Sequence, residues 1–171
     1  MDQLKSLIRE VPDYPKPGIL FYDITTLLKE TQGLKGVIDG LHQCAKDFKV
    51  DRVAGIEARG FIFGPALAYA LGTGFVPIRK PGKLPFDTHA FHYELEYGVD
   101  TLEMHVDGVK PGQRVLVVDD LLATGGTVGA CCNLLNKVGA TIVGCAFAIE
   151  LTFLDGAKRL APHEVFSLIR F

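Results

Sequence analysis

The chain has 171 residues, of which 48% are hydrophobic and 22% are charged, and its net charge is -2. This length suits a single domain over residues 1–171, and the apolar fraction is large enough to form a core, which excludes a disordered protein. The sequence pI of about 6.2 excludes a protein that binds nucleic acid through a basic face. Any anionic ligand must therefore be bound by locally placed groups.

The N-terminal residues and one long uncharged stretch indicate where the protein works. Residues 1–15 contain early acidic residues and no apolar run of the signal-peptide kind, so we expect a cytoplasmic protein. The stretch between Arg59 and Arg79 carries no charge, but prolines and glycines interrupt it, and we interpret it as a buried helix and a buried strand rather than a membrane span. The cysteines lack CxxC spacing and are interpreted as buried small residues in a reducing compartment; they are Cys44, Cys131, Cys132 and Cys145.

Alternating helices and strands are predicted along the chain. In order, we expect a short helix over 2–9, an extended proline-rich segment, a helix over 33–48, a strand over 52–56, an exit loop at 57–60, a helix over 61–71 and a strand over 75–78. After a loop over 79–89, we expect an antiparallel pair over 91–97 and 101–106 around a turn at Gly98, a strand over 114–118, a helix over 126–138, a strand over 140–149, a short helix near 156–160 and a strand over 164–169. This alternation predicts an α/β domain with a parallel sheet.

The segment VLVVDDLLATGGT at 115–127 is the most informative part of the sequence. A buried strand is predicted to end in two carboxylates, and a glycine-rich turn then begins a helix. Ligands of open α/β sheets bind at the carboxyl ends of strands. Converging backbone N–H groups, two hydroxyls and the positive end of the helix predict a phosphate monoester site there. The predicted phosphate contacts are Ala123, Thr124, Gly125, Gly126 and Thr127.

Asp119 and Asp120 would repel a phosphate unless they bind another part of the same ligand. Vicinal sugar hydroxyls are natural partners, because a carboxylate accepts two O–H bonds, so the segment predicts a ribose 5-phosphate. Successive side chains of a strand point in opposite directions, so an alternative is that one carboxylate orders the other or a metal-bound water. A simpler alternative is a solvated strand end with a helix cap. The sequence has no GxxxxGK[ST] and no GxGxxG, which argues against a triphosphate P-loop and a dinucleotide site.

This segment closely resembles the phosphoribosyl pyrophosphate motif of type I phosphoribosyltransferases. Other segments are similar to the members of that family that act on adenine; they are DYPKPGILFYDITTLL at 13–28, EARGFIFGPALA at 57–68, VPIRKPGKLP at 76–85 and YELEYGVDTLEMH at 93–105. The resemblance implies a mostly parallel central sheet flanked by helices, an N-terminal base-binding segment and a flexible antiparallel hood hairpin, with hood elements at about 1–30 and 80–106. It also implies transfer of a 5-phosphoribosyl group from phosphoribosyl pyrophosphate to adenine, giving AMP and pyrophosphate in purine salvage.

The resemblance further implies the roles of individual residues. Phe21 would stack on the purine while backbone groups of Leu20 read its edge. The pyrophosphate would be bound by basic residues, partly across a homodimer interface; these are Arg59, Arg79, Lys80 and Lys83. Family members commonly have a basic residue where this chain has Tyr22, which questions any charged contact at that position.

Two hood residues are implied in catalysis by the same resemblance. Glu96 would assist proton transfer from the attacking purine nitrogen, and Tyr97 would shield and position the reactants. Mg²⁺ is expected, held chiefly by pyrophosphate and ribose oxygens with waters rather than by protein side chains. The H-x-x-H pair His89 and His92 is interpreted as loop histidines, since no third ligand is nearby in the sequence.

Two alternative functions are open at this stage. The first is transfer to another base, such as xanthine, hypoxanthine or orotate. The second is a non-catalytic regulator that senses phosphoribosyl pyrophosphate. A regulator of this kind usually carries a DNA-binding domain, and the chain has neither the length nor the basic face for one.

Overall fold

The computed structural model describes residues 2–95 and 98–171. The elements in chain order are α1 (Asp2–Lys5), β1 (Arg9–Pro12), β2 (Leu20–Asp23), α2 (Thr25–Leu28), α3 (Thr31–Ala45), β3 (Arg52–Ile56), α4 (Gly60–Leu71), β4 (Gly74–Ile78), β5 (Thr88–Leu95), β6 (Gly98–His105), β7 (Arg114–Leu122), α5 (Gly126–Lys137), β8 (Thr141–Glu150), a 3₁₀ turn (Thr152–Leu154), α6 (Gly156–Arg159) and β9 (Val165–Arg170). Five strands form a parallel sheet in the order β4-β3-β7-β8-β9. The predicted α/β class is confirmed.

The central sheet has a hydrophobic core on each face. Side chains of β7 alternate between the two cores, as the period of a strand requires. Val115 and Val117 pack in the core beneath α5 and the β5–β6 hairpin. Leu116 and Val118 pack in the opposite core, beneath α3 and α4. Because both faces are covered, the strand is an uninterrupted apolar run.

The two helices that follow β3 and β7 diverge to opposite faces of the sheet. Helix α4 follows β3 and contributes to one core, whereas α5 follows β7 and contributes to the other. Because β3 and β7 are neighbours in the sheet, the chain opens a crevice at the carboxyl ends of these two strands. Such a topological switch point is where open α/β sheets bind their ligands.

The hairpin of β5 and β6 is longer than its sequence pattern predicts. Its antiparallel register runs from Thr88 opposite His105 to Leu95 opposite Gly98, so Gly98 lies in a strand. The base of the hairpin is fixed, because the side chains of Leu102 and Met104 are fully buried in the core. The implied catalytic residues 96 and 97 lie outside the described residues.

Two other predicted boundaries are wrong for a common reason. The opening helix ends at Lys5, because the backbone of Arg9–Pro12 pairs with Leu20–Asp23 in a separate two-stranded sheet. The strand predicted over 114–118 extends through Leu122, since its last residues pair with Ile149 and Glu150 of β8. In both cases a distant strand supplies partners that a local pattern does not reveal.

The uncharged stretch takes the predicted structure, and three of the four cysteines are buried as predicted. The stretch between residues 59 and 79 forms α4 and β4, and no helix among the described residues is long and apolar enough to cross a membrane. The cysteines are free thiols, and Cys131, Cys132 and Cys145 are buried, whereas Cys44 is half-buried. The Sγ atoms of Cys132 and Cys145 lie 3.7 Å apart.

Candidate functional site

An open cleft of about 400 Å³ lies where β3, β4 and β7 end. Its walls come from the loops that follow three adjacent parallel strands, which is the position expected of a ligand site. The cleft is lined by Glu57, Ala58, Arg59, Lys80 and residues 119–128. The structure therefore brings the predicted ribose and phosphate contacts together with two of the four implied pyrophosphate contacts.

The glycine-rich turn before α5 forms one wall of the cleft. Gly125 has a φ of +78°, a left-handed conformation that favours glycine, and it precedes α5 without any side-chain cap. A Cβ at Gly125 would lie 2.7 Å from the carbonyl oxygen of Gly156, so the turn is packed tightly against α6. The first N–H groups of α5 have no intrahelical acceptor and carry the positive end of the helix dipole. The turn is therefore built to receive an anion.

Asp119 and Asp120 form a carboxylate pair with an unsatisfied oxygen. Asp120 is only 3% exposed, and its N–H donates to Oδ1 of Asp119 at 2.9 Å. The Nε of Arg59 lies 2.9 Å from Oδ2 of Asp120, yet this buried oxygen accepts no hydrogen bond from the described residues. The contact is thus one of charge, and the oxygen retains its capacity to accept a ligand hydroxyl.

Burial makes both carboxylates of this pair difficult to ionise. It raises the pKa of Asp119 well above its usual value, and the nearby charge of Asp120 raises it further. Burial also raises the pKa of Asp120, although the Arg59 guanidinium acts in the opposite direction. A buried pair with one cation is stabilised by additional donors or positive charge. Sugar hydroxyls or a ligand-bound cation would supply them.

The start of α4 approaches this pair closely at Gly60. A Cβ at Gly60 would lie 2.9 Å from Oδ1 of Asp119 and 3.0 Å from the carbonyl oxygen of Val118. Gly60 begins α4, so the absence of a side chain there lets the start of this helix contact the end of β7. The peptide bond between Glu57 and Ala58, just before this contact, is cis.

The aromatic side chain implied in base stacking lies beside Arg59. The Arg59 Cζ atom is 5.4 Å from the ring centroid of Phe21, and the Tyr14 ring meets Phe21 edge-on at 5.1 Å. Leu20 is 41% exposed. Neither Leu20 nor Phe21 lines the 400 Å³ cleft itself. An aromatic face next to a cleft-lining arginine can nevertheless extend the site for a planar group.

Tyr22 points away from this face and into the protein. Its side chain is buried, and its ring lies 4.0 Å from the ring of Phe171. Adjacent residues of β2 point to opposite sides, so the side chains of Phe21 and Tyr22 lie in different environments. The position at which the family resemblance implies a basic residue is therefore part of the core in this chain.

The four basic residues implied in pyrophosphate binding occupy different positions. Arg59 and Lys80 line the cleft. The Nε and Nη2 atoms of Arg79 each lie 2.9 Å from Oε2 of Glu57, and its Nη1 donates to the carbonyl oxygen of Lys83 at 3.1 Å. The Lys83 side chain is exposed on the loop. Arg79 thus ties this loop to the end of β3 rather than lining the cleft.

Glu57 joins the loops that follow β3 and β4. Its Oε1 accepts the Lys80 N–H at 2.5 Å while its Oε2 accepts from Arg79. Burial alone would raise the pKa of Glu57, but these hydrogen bonds and the arginine charge hold it below its usual value. The carboxylate therefore fixes the backbone from which the Lys80 side chain reaches the cleft.

Lys80 also connects the cleft to the hairpin. Its ammonium forms an ion pair with Oδ2 of Asp100, and the Tyr93 hydroxyl donates to the same oxygen at 3.0 Å. Burial lowers the pKa of Lys80, but the bonds to Asp100 and Tyr93 outweigh it and raise the pKa overall. The hydrogen bond from Lys80 correspondingly lowers the pKa of Asp100.

The donor set of the cleft fits a magnesium ion that is bound mainly through ligand oxygens. Within residues 2–95 and 98–171, no three His, Cys, Asp or Glu side chains come together as a metal site. His89 and His92 lie in β5 rather than in a loop, and the Nδ1 atom of His92 is 2.8 Å from the Thr101 hydroxyl oxygen. Oδ2 of Asp120 is a buried acceptor with no hydrogen-bond donor. One such carboxylate suits Mg²⁺, which retains waters and shares substrate phosphates.

Several residues of the site are not identifiable from the sequence pattern. Glu57 and Ala58 are visible only as part of an exit loop, and Asp100 only as a polar residue of a hairpin. Gly156 contacts the phosphate turn although it begins a four-residue helix far along the chain. The available signal is a glycine directly after Asp155, a common helix-start pattern that does not specify a packing partner.

Comparison with known proteins agrees with this geometry. The family model of the phosphoribosyl transferase domain matches residues 23–168. The adenine phosphoribosyltransferase of Solibacter usitatus is 64% identical over 100% of this chain and 99% of its own length. That of Rhodopirellula baltica is 60% identical over 98% of this chain and 82% of its own.

Solved structures share this fold along nearly the whole chain. Adenine phosphoribosyltransferase from Thermoanaerobacter pseudethanolicus has a TM-score of 0.96 and 52% identity, with 99% of both chains covered. The enzyme from Saccharomyces cerevisiae, complexed with adenine and an imino-altritol bisphosphate, has a TM-score of 0.91 and 38% identity over 97% of this chain and 96% of its own. The chain therefore belongs to the type I phosphoribosyltransferase family, among its adenine phosphoribosyltransferases.

Proposed function

We propose that this chain transfers the 5-phosphoribosyl group from phosphoribosyl pyrophosphate to adenine, giving AMP and pyrophosphate, as a step of purine salvage. One observation carries the proposal: the crevice between β3 and β7 combines an uncapped glycine turn with a buried carboxylate pair that has a free acceptor. A ribose 5-phosphate requires both features within one site. Relatives that are named for the same activity support the proposal, because their similarity extends along nearly the whole chain.

The donor is assigned to the cleft in three parts. The 5-phosphate binds the backbone N–H groups and hydroxyls of 123–127, and the ribose hydroxyls bind Asp119 and Asp120. Arg59 and Lys80 bind the pyrophosphate from within the cleft. Arg79 and Lys83 lie outside it on the loop after β4 and contribute across the homodimer interface. Bound Mg²⁺ would neutralise phosphate charge and would be held chiefly by pyrophosphate and ribose oxygens with waters.

Adenine is assigned to the segment around β2. Phe21 stacks on the purine, and backbone groups of Leu20 read its edge. Adenine presents an acceptor at N1 and a donor at its 6-amino group, whereas 6-oxopurines reverse both. A fixed backbone donor and acceptor then reject a 6-oxopurine, because each unpaired buried polar group costs about 1–3 kcal/mol.

The transfer needs no protein nucleophile. A bond forms between the attacking adenine nitrogen and the anomeric carbon, the bond from that carbon to pyrophosphate breaks, and the nitrogen loses its proton. Glu96 assists this proton transfer and Tyr97 shields the reactants, as the family resemblance implies. The hood hairpin excludes water, which would otherwise capture the oxocarbenium-like state.

We also propose that the chain acts as one domain and forms a homodimer in the cytoplasm. The solvent side of α4 supports the dimer, since Tyr69 is 90% exposed and Ile62, seven residues earlier on the same face, is 38% exposed. Free buried thiols support a reducing compartment. Sedimentation is expected to give twice the chain mass of 18.6 kDa. A measured mass equal to that of one chain would contradict the dimer.

A panel of bases tests the proposed reaction. With phosphoribosyl pyrophosphate and Mg²⁺, adenine is expected to give the nucleotide at a rate at least about 100-fold above those with hypoxanthine, xanthine or orotate, given the cost of unpaired polar groups. Product formation is measured by chromatography of the nucleotides. Preferred turnover of another base would change the substrate assignment. Tight binding of the donor without any product would favour the regulator instead.

A further inference from the structure

One ion pair joins the hairpin to the pyrophosphate side of the cleft. The Lys80 side chain lines the cleft, and its ammonium pairs with Oδ2 of Asp100 on β6. Asp100 lies opposite Tyr93 in the hairpin register, two positions from the last described pair of residues. The base of the hairpin is held separately by buried side chains such as Leu102. Among the described polar contacts, the Lys80 pair therefore attaches the part of the hairpin nearest its tip.

Asp100 has enough donors to remain satisfied without Lys80. Its Oδ1 accepts the Thr101 N–H at 2.8 Å, and its Oδ2 accepts the Tyr93 hydroxyl at 3.0 Å. The side chain is also 27% exposed, so water can replace the ammonium. Separating the pair therefore does not leave an isolated buried charge, which is the situation in which removal of a partner is most costly.

Lys80 faces two competing anions when the cleft is filled. An ammonium has three donors and no fixed fork geometry, so it can turn from one oxygen to another. Pyrophosphate carries several negative charges, whereas Asp100 carries one. The Asp100 carboxylate neutralises the ammonium in the free protein and so weakens its attraction for an entering anion.

We propose that Asp100 is a positioning residue that competes with pyrophosphate for the Lys80 ammonium. Pyrophosphate entering the cleft exchanges the carboxylate for a phosphate oxygen and releases the paired residues Tyr93 and Asp100 of the hairpin from Lys80 on the loop after β4. The inference rests on the proposed function, because it requires pyrophosphate beside Lys80. It adds to that function a link between occupancy of the pyrophosphate subsite and attachment of the hairpin.

Asp100→Asn tests the competition directly. The variant removes the competing charge and retains the side-chain shape. Calorimetry with inorganic pyrophosphate and Mg²⁺ is therefore expected to give a Kd about three- to tenfold lower than that of the parent chain. The effect is modest because the ion pair is partly exposed to water. The KM for phosphoribosyl pyrophosphate is expected to fall similarly, with the KM for adenine unchanged. Asp107→Asn, an exposed residue after β6, removes the same charge and is expected to alter neither.

A second variant separates this inference from the proposed function. In a Lys80→Gln background, Asp100→Asn is expected to leave pyrophosphate affinity unchanged, because the cation for which the two anions compete is gone. Unchanged or weaker pyrophosphate binding by Asp100→Asn alone would overturn the competition. Failure of the parent chain to bind pyrophosphate or to form AMP would instead overturn the proposed function.

Hydrogen exchange measures the release of the hairpin. Pyrophosphate is expected to speed amide exchange at residues 92–93 and 100–101 of the parent chain, and Asp100→Asn is expected to show the faster exchange without any ligand. The core strands β3 and β7 serve as an internal reference. Slower or unchanged exchange of the hairpin with pyrophosphate would contradict the release.

Discussion

Replacing Asp119 and Asp120 together with Asn is expected to lower kcat/KM for phosphoribosyl pyrophosphate by about 10²- to 10⁴-fold. Each carboxylate is proposed to accept a ribose hydroxyl, and a hydrogen bond to a charged group contributes about 1.5–3 kcal/mol. Oδ2 of Asp120 is available for this role, because it accepts no hydrogen bond from the described residues and has the Arg59 guanidinium beside it. Steady-state kinetics measure the loss, and full activity in the double variant would contradict the ribose assignment.

Asp119→Asn alone is expected to increase stability although it lowers activity. Burial raises the pKa of Asp119 well above its usual value, so the native state resists its ionisation. A carboxyl with a raised native pKa stabilises the fold below the unfolded pKa of about 3.9, and this contribution is lost as pH rises through the native pKa. Asp119→Asn avoids the penalty. It is therefore expected to have a higher free energy of unfolding than the parent at pH 7.

Urea unfolding of the ligand-free chain between about pH 4 and pH 8 tests whether Asp119→Asn raises the free energy of unfolding. The difference in unfolding free energy between Asp119→Asn and the parent is expected to increase with pH. Asp47→Asn, on the exposed surface, is the matched control and is expected to show no such increase. A variant that is less stable than the parent at every pH would show that Asp119 serves the fold rather than the ligand.

Gly125→Ala is expected to lower activity by about 100-fold or more, because it displaces the phosphate turn. The left-handed conformation costs a residue with Cβ about 1–2 kcal/mol, and the added atom would also lie 2.7 Å from the Gly156 carbonyl oxygen. A shift of about 1 Å at a binding group reduces catalysis by a factor of this order. The KM for phosphoribosyl pyrophosphate is expected to rise most, since this turn is proposed to receive its phosphate.

Gly112→Ala is the control for the backbone conformation alone. Gly112 has a φ of +80°, yet a Cβ there would meet no atom within 4 Å. This variant is expected to lose stability without a change in KM, so the two glycines separate local strain from displacement of the site. Equal kinetic effects of the two substitutions would show that the turn is not a specific phosphate contact.

Much of the secondary structure and the glycine-rich turn before α5 could be predicted because their signals are local. The strand predicted over 52–56 has the same bounds in the structure, since an apolar run lies between polar residues. The turn at 123–127 is recognisable because glycines, hydroxyls and a following helix are adjacent in sequence. In both cases the pattern can be interpreted from residues that are adjacent in sequence, without knowledge of a distant segment.

The meeting of distant segments could not be predicted in this way. Strand order brings β3 beside β7, which places Arg59 next to Asp120 although they are far apart in sequence. The bonds from Glu57 to the loop after β4, and from Lys80 to Asp100, likewise join segments with no common motif. Such contacts depend on which strands pair, and a hydrophobic period does not specify pairing.

A crystal structure of the chain with bound ribose 5-phosphate tests the central claim most directly. The account predicts the phosphate at the N–H groups of 123–127 and the vicinal hydroxyls within hydrogen-bond distance of Asp119 and Asp120. A sugar phosphate bound elsewhere, with this turn and both carboxylates free of ligand, would contradict it.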